Sequence, residues 1–221
     1  MTEGQDRSLR PVRIFAALLA LCACACSAAP REAAADPARY LFYLHGRIIE
    51  DQGPQGISPV HGRYDYPGIL AAFRTRGFEV ISEVRPANTE VGTYAERVVR
   101  EVEGLIARGV DPSRITIVGA SKGAVIASLA STRLRRASVR YVLLANCNEW
   151  LIRTHDPHLS GEVLSIYEAS DDVGSSCRPL AARSPALRRF AEVRLEPGLG
   201  HGMVYRPLEA WVGPASDWAR R

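Results

Sequence analysis

One stretch limits the folds open to this chain. Residues 115–118, Ile-Thr-Ile-Val, form an apolar, β-branched run of the kind that fills a buried strand. Residues 124–130, Ala-Val-Ile-Ala-Ser-Leu-Ala, continue as helix. Between them lies Gly119-Ala120-Ser121-Lys122-Gly123. A strand that turns directly into a helix leaves little space for side chains at the outer positions of the turn, and Gly119 and Gly123 meet that condition. Ser121 is then held on a sharp corner with its hydroxyl facing away from the sheet. The N–H of Lys122 opens the helix, where unpaired donors and the helix dipole favour negative charge. A plain strand-to-helix turn would ask for the same small residues, but with these flanks the arrangement reads as an activated serine nucleophile.

The rest of the chain repeats the same alternation. Runs at 40–44, 78–84, 139–145, 163–167 and 192–195 have strand character. Residues 66–76, closed by Gly77, read as a helix. A longer helix starts at Asn88 or Thr89, with Val91, Tyr94, Val98, Val102, Leu105 and Ile106 at helical spacing, and ends at Gly109. Residues 50–67 carry three glycines and three prolines and read as a long loop, in which Arg63, Tyr64, Asp65 and Tyr66 cover the domain rather than line a pocket. The pattern predicts an α/β fold with a mostly parallel sheet of about six strands and helices on both faces.

A serine hydroxyl needs a base, and the base needs an orienting group. In open parallel sheets such groups gather at the carboxyl ends of strands. Asp171 and Asp172 follow one predicted strand and His201, between Gly200 and Gly202, follows the last. Either carboxylate could orient His201, and the order Ser, Asp, His suits this architecture. The first strand runs into His45-Gly46-Arg47. Gly46 lets the backbone turn so that the Arg47 N–H can face the same point as that of Lys122, forming an oxyanion hole. His45 itself reads as a hydrogen-bonded strand-end residue. His155 and His158 lack the carboxylate or cysteine spacing of a metal site and are placed in a surface loop, and His61 has no evident partner. No metal or cofactor is expected.

Net charge is +4 and Lys122 is the only lysine, with no basic cluster that would call for nucleic acid. Arg47, Arg63 and Arg85 near the catalytic edge could favour an acidic substrate. Residues 1–26 have the make-up of a bacterial-type export signal: Arg7, Arg10 and Arg13 precede an apolar stretch at 14–26. Around Leu21-Cys22-Ala23-Cys24 it has the form of a lipoprotein box, with Cys24 as the acylated residue and the membrane as partner; cleavage at the Ala-x-Ala 33–35 is the alternative. Residues 27–38 read as a tether and 39–221 as the folded domain, periplasmic or membrane-anchored. Only Cys147 and Cys177 remain in that domain, either disulfide-bonded in an oxidising compartment or two buried thiols.

Taken together, His45-Gly46-Arg47, the pentapeptide around Ser121, Asp171 and Gly200-His201-Gly202 resemble the α/β-hydrolase superfamily, over residues 40–221. The resemblance implies a small serine hydrolase that cleaves a small-molecule ester through an acyl-serine intermediate. In that family the acid often lies four residues beyond the first member of a His-Gly pair. Tyr167-Glu168 holds that place here, which selects Asp171 over Asp172. The residues at 146–162 are too few for a cap domain. The same topology makes Cys147 and Cys177 neighbours at the catalytic edge. A thioesterase or peptidase with the same three residues, or a non-catalytic exported binding protein on this scaffold, are the rival readings.

Overall fold

A computed structural model describes residues 37–221, besides Met1. The expected export signal and Cys24 lie outside the described residues, as does the tether apart from its last two. Pro37–Arg221 form one unit.

Six runs rich in apolar residues make the strands β1 (Arg39–Leu44), β4 (Phe78–Ile81), β5 (Ile115–Ala120), β6 (Arg140–Leu144), β7 (Gly161–Glu168) and β8 (Leu187–Leu195). They pair in the order β4-β1-β5-β6-β7-β8, and every pairing is parallel. The crossovers are helices: α2 (Tyr66–Arg74), α3 (Val91–Ala107), α4 (Lys122–Leu134), α5 (Glu149–His155) and α6 (Arg178–Ala182), with α7 (Glu209–Arg220) last. The side chains of β5 alternate. Ile115 and Ile117 join one core with α3 and α4, while Val118 and Ala120 join a second with α2 and α7. Both faces of the sheet are therefore covered, as a buried parallel sheet requires.

Several boundaries differ from the sequence expectation, β8 among them, which starts at Leu187 and not at 192, and three of the differences have a visible cause. First, the helix expected to begin at Asn88 or Thr89 is capped by Glu90, whose carboxylate accepts from the N–H groups of Gly92 (2.8 Å) and Thr93 (2.6 Å). Asn88 instead takes a left-handed turn, φ 59°, and the Thr89 hydroxyl donates to the Pro86 carbonyl. Second, β4 stops at Ile81, not at Val84, because the Ser82 hydroxyl takes the Tyr43 carbonyl and the chain peels from the sheet. Third, the loop expected over 50–67 is partly structured. It holds the end of α1 (Arg47–Gln52) and a two-stranded ribbon, β2 (Ile57–Ser58) and β3 (Gly62–Arg63). Within it Tyr64 and Tyr66 are buried and Asp65 caps α2 through the Gly68 N–H, so these residues cover the domain.

Cys147 and Cys177 are joined by a disulfide, Cα–Cα 5.1 Å. Around it the segment after Asp171 is fastened to the loop after β6. Ser175 donates from its N–H to the Asn146 carbonyl (2.7 Å) and from its hydroxyl to the Cys147 carbonyl (3.0 Å). A Cβ on Gly174 would come within 2.6 Å of the Ala145 Cα, so the two backbones touch. The bridged cysteines are separated by 30 residues, and closing a loop of that length stabilises a fold by roughly 3.5 kcal/mol on the chain-entropy model. The Cys147→Ser/Cys177→Ser variant is expected to lose about that much in urea unfolding, which a matched midpoint with the parent would contradict.

Candidate active site

The corner at the end of β5 depends on absent side chains. A Cβ on Gly119 would lie 2.3 Å from the Gly123 carbonyl oxygen, and one on Gly123 would lie 1.9 Å from that of Leu44. The first close approach folds α4 tightly back on β5, and the second seats its N-terminus against the end of β1. Ser121 takes φ 52°, ψ −118°, a strained conformation for a residue with a side chain. Its N–H donates to the Leu144 carbonyl (2.9 Å), and its carbonyl accepts from Ala124 and Val125.

His201 sits in a short turn, Gly200–Tyr205, beyond β8. Its Nε2 is 2.9 Å from the Ser121 Oγ, and its Nδ1 is 3.1 and 3.0 Å from the two Asp171 oxygens. Since an ionised carboxylate only accepts, Nδ1 carries the proton and Nε2 is free to accept from the serine hydroxyl. The side chains of Asp171 and His201 are 0% and 13% exposed. Burial pushes the Asp171 carboxyl up, but the His201 contact and the N–H groups of Val173 and Gly174 outweigh it and hold it below the usual range. Asp172 is exposed. The structure thus brings Ser121, His201 and Asp171 together and leaves Asp172 out.

Arg47 and Lys122, expected as the two backbone donors, are each the first residue of a helix, α1 and α4, where the N–H has no acceptor in its own helix. Both line the cavity beside Ser121. Gly46 lies over the serine: its Cβ would be 3.7 Å from that of Ser121.

Beneath these helix starts is a buried charge network. The Glu50 side chain is fully buried and accepts from Arg85 Nε (2.7 Å) and Lys122 Nζ. Arg85, 1% exposed, also donates from Nη2 to the His45 carbonyl and from its N–H to His45 Nε2 (2.9 Å). His45 Nδ1 then donates to the Gly46 carbonyl (2.8 Å). Arg85 is therefore internal and unavailable to an acidic substrate. Arg63 is bonded to Gln55, and the Arg47 side chain is exposed beside Asp51. Burial, reinforced by Arg85, pushes His45 down to about 3. Between that value and 6.5 the unfolded chain binds a proton that the folded chain refuses, so acid favours unfolding by about 1.4 kcal/mol per pH unit. Unfolding free energy should fall on acidification below pH 6.5, and less steeply in a His45→Gln variant. Equal slopes in the two proteins, measured by urea titration, would remove His45 as the cause.

Two further residues at the site make contacts that their places in the sequence do not announce. The Glu168 carboxylate accepts from the Ser170 hydroxyl and N–H and from the N–H groups of Gly198 and Gly200, and so ties the loop of Asp171 to that of His201. The bonds from Ser170, with those amides, hold its carboxyl below the usual range against the opposing effect of burial. The His61 ring packs on Gly202 and stands 6.3 Å from the His201 ring. His155, expected in a surface loop, ends α5 and lines the cavity beside Ser121. His158 does lie at the surface, bonded to the Arg183 carbonyl.

No family model and no curated protein sequence matches the chain. Solved structures do. SOBER1 of Arabidopsis thaliana superposes with a TM-score of 0.56 at 12% identity, covering 84% of this chain and 99% of its own. XC6422 of Xanthomonas campestris, described as an a/b serine hydrolase without lid, gives 0.56 at 15% identity, over 84% and 83%. The fold is that of the α/β-hydrolases. Est1E of Butyrivibrio proteoclasticus gives a TM-score of 0.53 at 11% identity, over 81% and 86%. Within the α/β-hydrolase fold this chain is spare. Its connection from β6 to β7 holds only the short α5, where the sequence is too short for a cap.

Proposed function

We propose that the protein is a serine hydrolase that cleaves carboxylic esters, with Ser121 as nucleophile, His201 as general base and Asp171 as its orienting acid. The observation that carries this is the continuous hydrogen-bond chain from the Ser121 Oγ through His201 to Asp171, set on a strained strand-to-helix corner. As Oγ attacks the ester carbonyl, its proton passes to His201 Nε2, and the buried Asp171 carboxylate stabilises the imidazolium. The new C–O bond leaves negative charge on the former carbonyl oxygen. The Arg47 and Lys122 N–H groups receive it, each donor being worth about 3 kcal/mol by analogy with single oxyanion-hole donors. Collapse of the tetrahedral intermediate breaks the bond to the alcohol, which takes the proton from His201. Water, deprotonated by the same imidazole, then attacks the acyl-serine and regenerates the hydroxyl.

The N-terminal stretch supports export of this enzyme, with Cys24 as the site of lipid attachment. A fluorophosphonate probe tests the central reading. It should label the folded protein on Ser121 and leave Ser121→Ala unlabelled; a folded parent inert to the probe would refute it.

A further inference from the structure

An ester carbonyl positioned on Ser121 has three groups to place. Its oxygen turns towards the N–H groups of Arg47 and Lys122. Its leaving oxygen must come within reach of His201 Nε2, which protonates it. The acyl chain takes the direction that remains. A cavity of about 560 Å³ opens beside Ser121, and its walls include Arg47 and Lys122 but not His201. It therefore lies on the side of the serine away from the leaving group.

By surface area the cavity wall is mostly apolar, although polar side chains also contribute to it. Val91, Val125 and Ala145, all buried, line its inner part, and Trp150 and Val173 stand at its edge, 55% and 42% exposed. Most polar groups in the wall are already engaged within the protein. Glu90 is held by the Gly92 and Thr93 amides, and the Thr89 hydroxyl by the Pro86 carbonyl. Asn146 donates to Ser128, while Asn148 accepts from the Leu151 N–H and donates to the Val173 carbonyl. The Trp150 indole meets the His155 ring edge-on at 5.2 Å and forms one wall of the cavity. The volume is that of a pocket for a drug-sized ligand and far exceeds the needs of an acetyl group. On the other side, Leu199, two residues before His201, and Val60, next to His61, are exposed, and the leaving alcohol is assigned to this open side.

We infer that this cavity is an acyl-chain site, and that the enzyme selects esters of medium-length, apolar carboxylic acids through Trp150 and Val173 while leaving the alcohol unselected. The inference rests on the hydrolase reading of Ser121. It is tested with two substrate series: 4-nitrophenyl esters from acetate to dodecanoate, and alkyl acetates from ethyl to octyl.

Along the acyl series, kcat/KM should rise about fourfold for each methylene that becomes buried, with an optimum at hexanoate or longer. The alkyl acetates should differ little. Trp150→Ala should flatten the rise, and Val173→Trp, which fills the cavity from an exposed position, should move the optimum to shorter chains. Thermal melting of both variants, expected near the parent's, serves as the folding control. A parent that labels with the fluorophosphonate yet prefers acetate, a steeper dependence on the alcohol than on the acid, or an unchanged profile in both variants would overturn the assignment. Absence of both labelling and ester turnover would overturn the hydrolase reading as well.

Discussion

Ser121→Ala is expected to lower kcat for ester hydrolysis by a factor on the order of 10⁶, and adding His201→Ala should cost almost nothing more. The two residues act as one unit. In the proposed mechanism the imidazole only takes and returns the proton of a hydroxyl 2.9 Å away, so once the hydroxyl is gone the base has no task. His201→Ala alone should approach the same floor, because a serine without a base is a weak nucleophile. Asp171→Asn should cost less in binding than in rate. It keeps the shape but presents an amide N–H or a weaker acceptor to His201 Nδ1, which destabilises the tautomer that leaves Nε2 free, with a loss on the order of 10⁴ in kcat. Residual turnover above water should survive in all these variants from the Arg47 and Lys122 donors and from binding. The check is single-turnover and steady-state kinetics on one chromogenic ester across the set. Losses that multiply between Ser121→Ala and His201→Ala would show that the two side chains act separately and would break the scheme.

The parts of this architecture that could be read from the chain are those whose cause is local. A buried parallel strand is apolar on both faces, so β1, β5, β6 and β7 stand out as continuous runs. The corner at Ser121 is legible because backbone contact demands glycine at 119 and 123, and glycine is visible in sequence. What escaped has its cause elsewhere in the chain. Helix α1 is six residues long, with Ile49 and Glu50 its only buried positions, too few to produce a helical period. Glu50 looks like a surface residue until Arg85 and Lys122 are brought to it from 35 and 72 positions away. Glu168 is one acidic residue among several near a strand end, and its purpose lies in the amides of Gly198 and Gly200. The N-cap of α3 is Glu90, a residue type outside the usual capping set, which serves the amides two and three residues on, so Asn88 and Thr89 stand out in the sequence in its place.

The second large effect is expected at Glu50. Removing its carboxylate strands two cations, Arg85 at 1% side-chain exposure and Lys122 at 19%. Breaking a buried ion pair from one side costs about 3–5 kcal/mol, since the remaining charge is left without a partner. For a domain of this size that is a fall in Tm of about 6–20 °C. Glu50→Ala should also slow the enzyme beyond what instability explains. Glu50 lies one turn into the helix that begins at Arg47, while Lys122 begins the other helix, so the carboxylate holds the two N-termini at a fixed separation. Loss of one well-placed oxyanion donor costs about 10²–10³ in kcat, and that is the upper range expected for Glu50→Ala at a temperature where the variant is folded. Lys122→Met separates the two roles: it keeps the backbone donor and leaves Glu50 paired with Arg85, so both stability and kcat should fall much less. The ordering Glu50→Ala well below Lys122→Met, in melting temperature and in kcat with KM little changed, is the signature of a carboxylate that positions the oxyanion donors. If Glu50→Ala melts with the parent and turns over at the parent's rate, the network has no part in either.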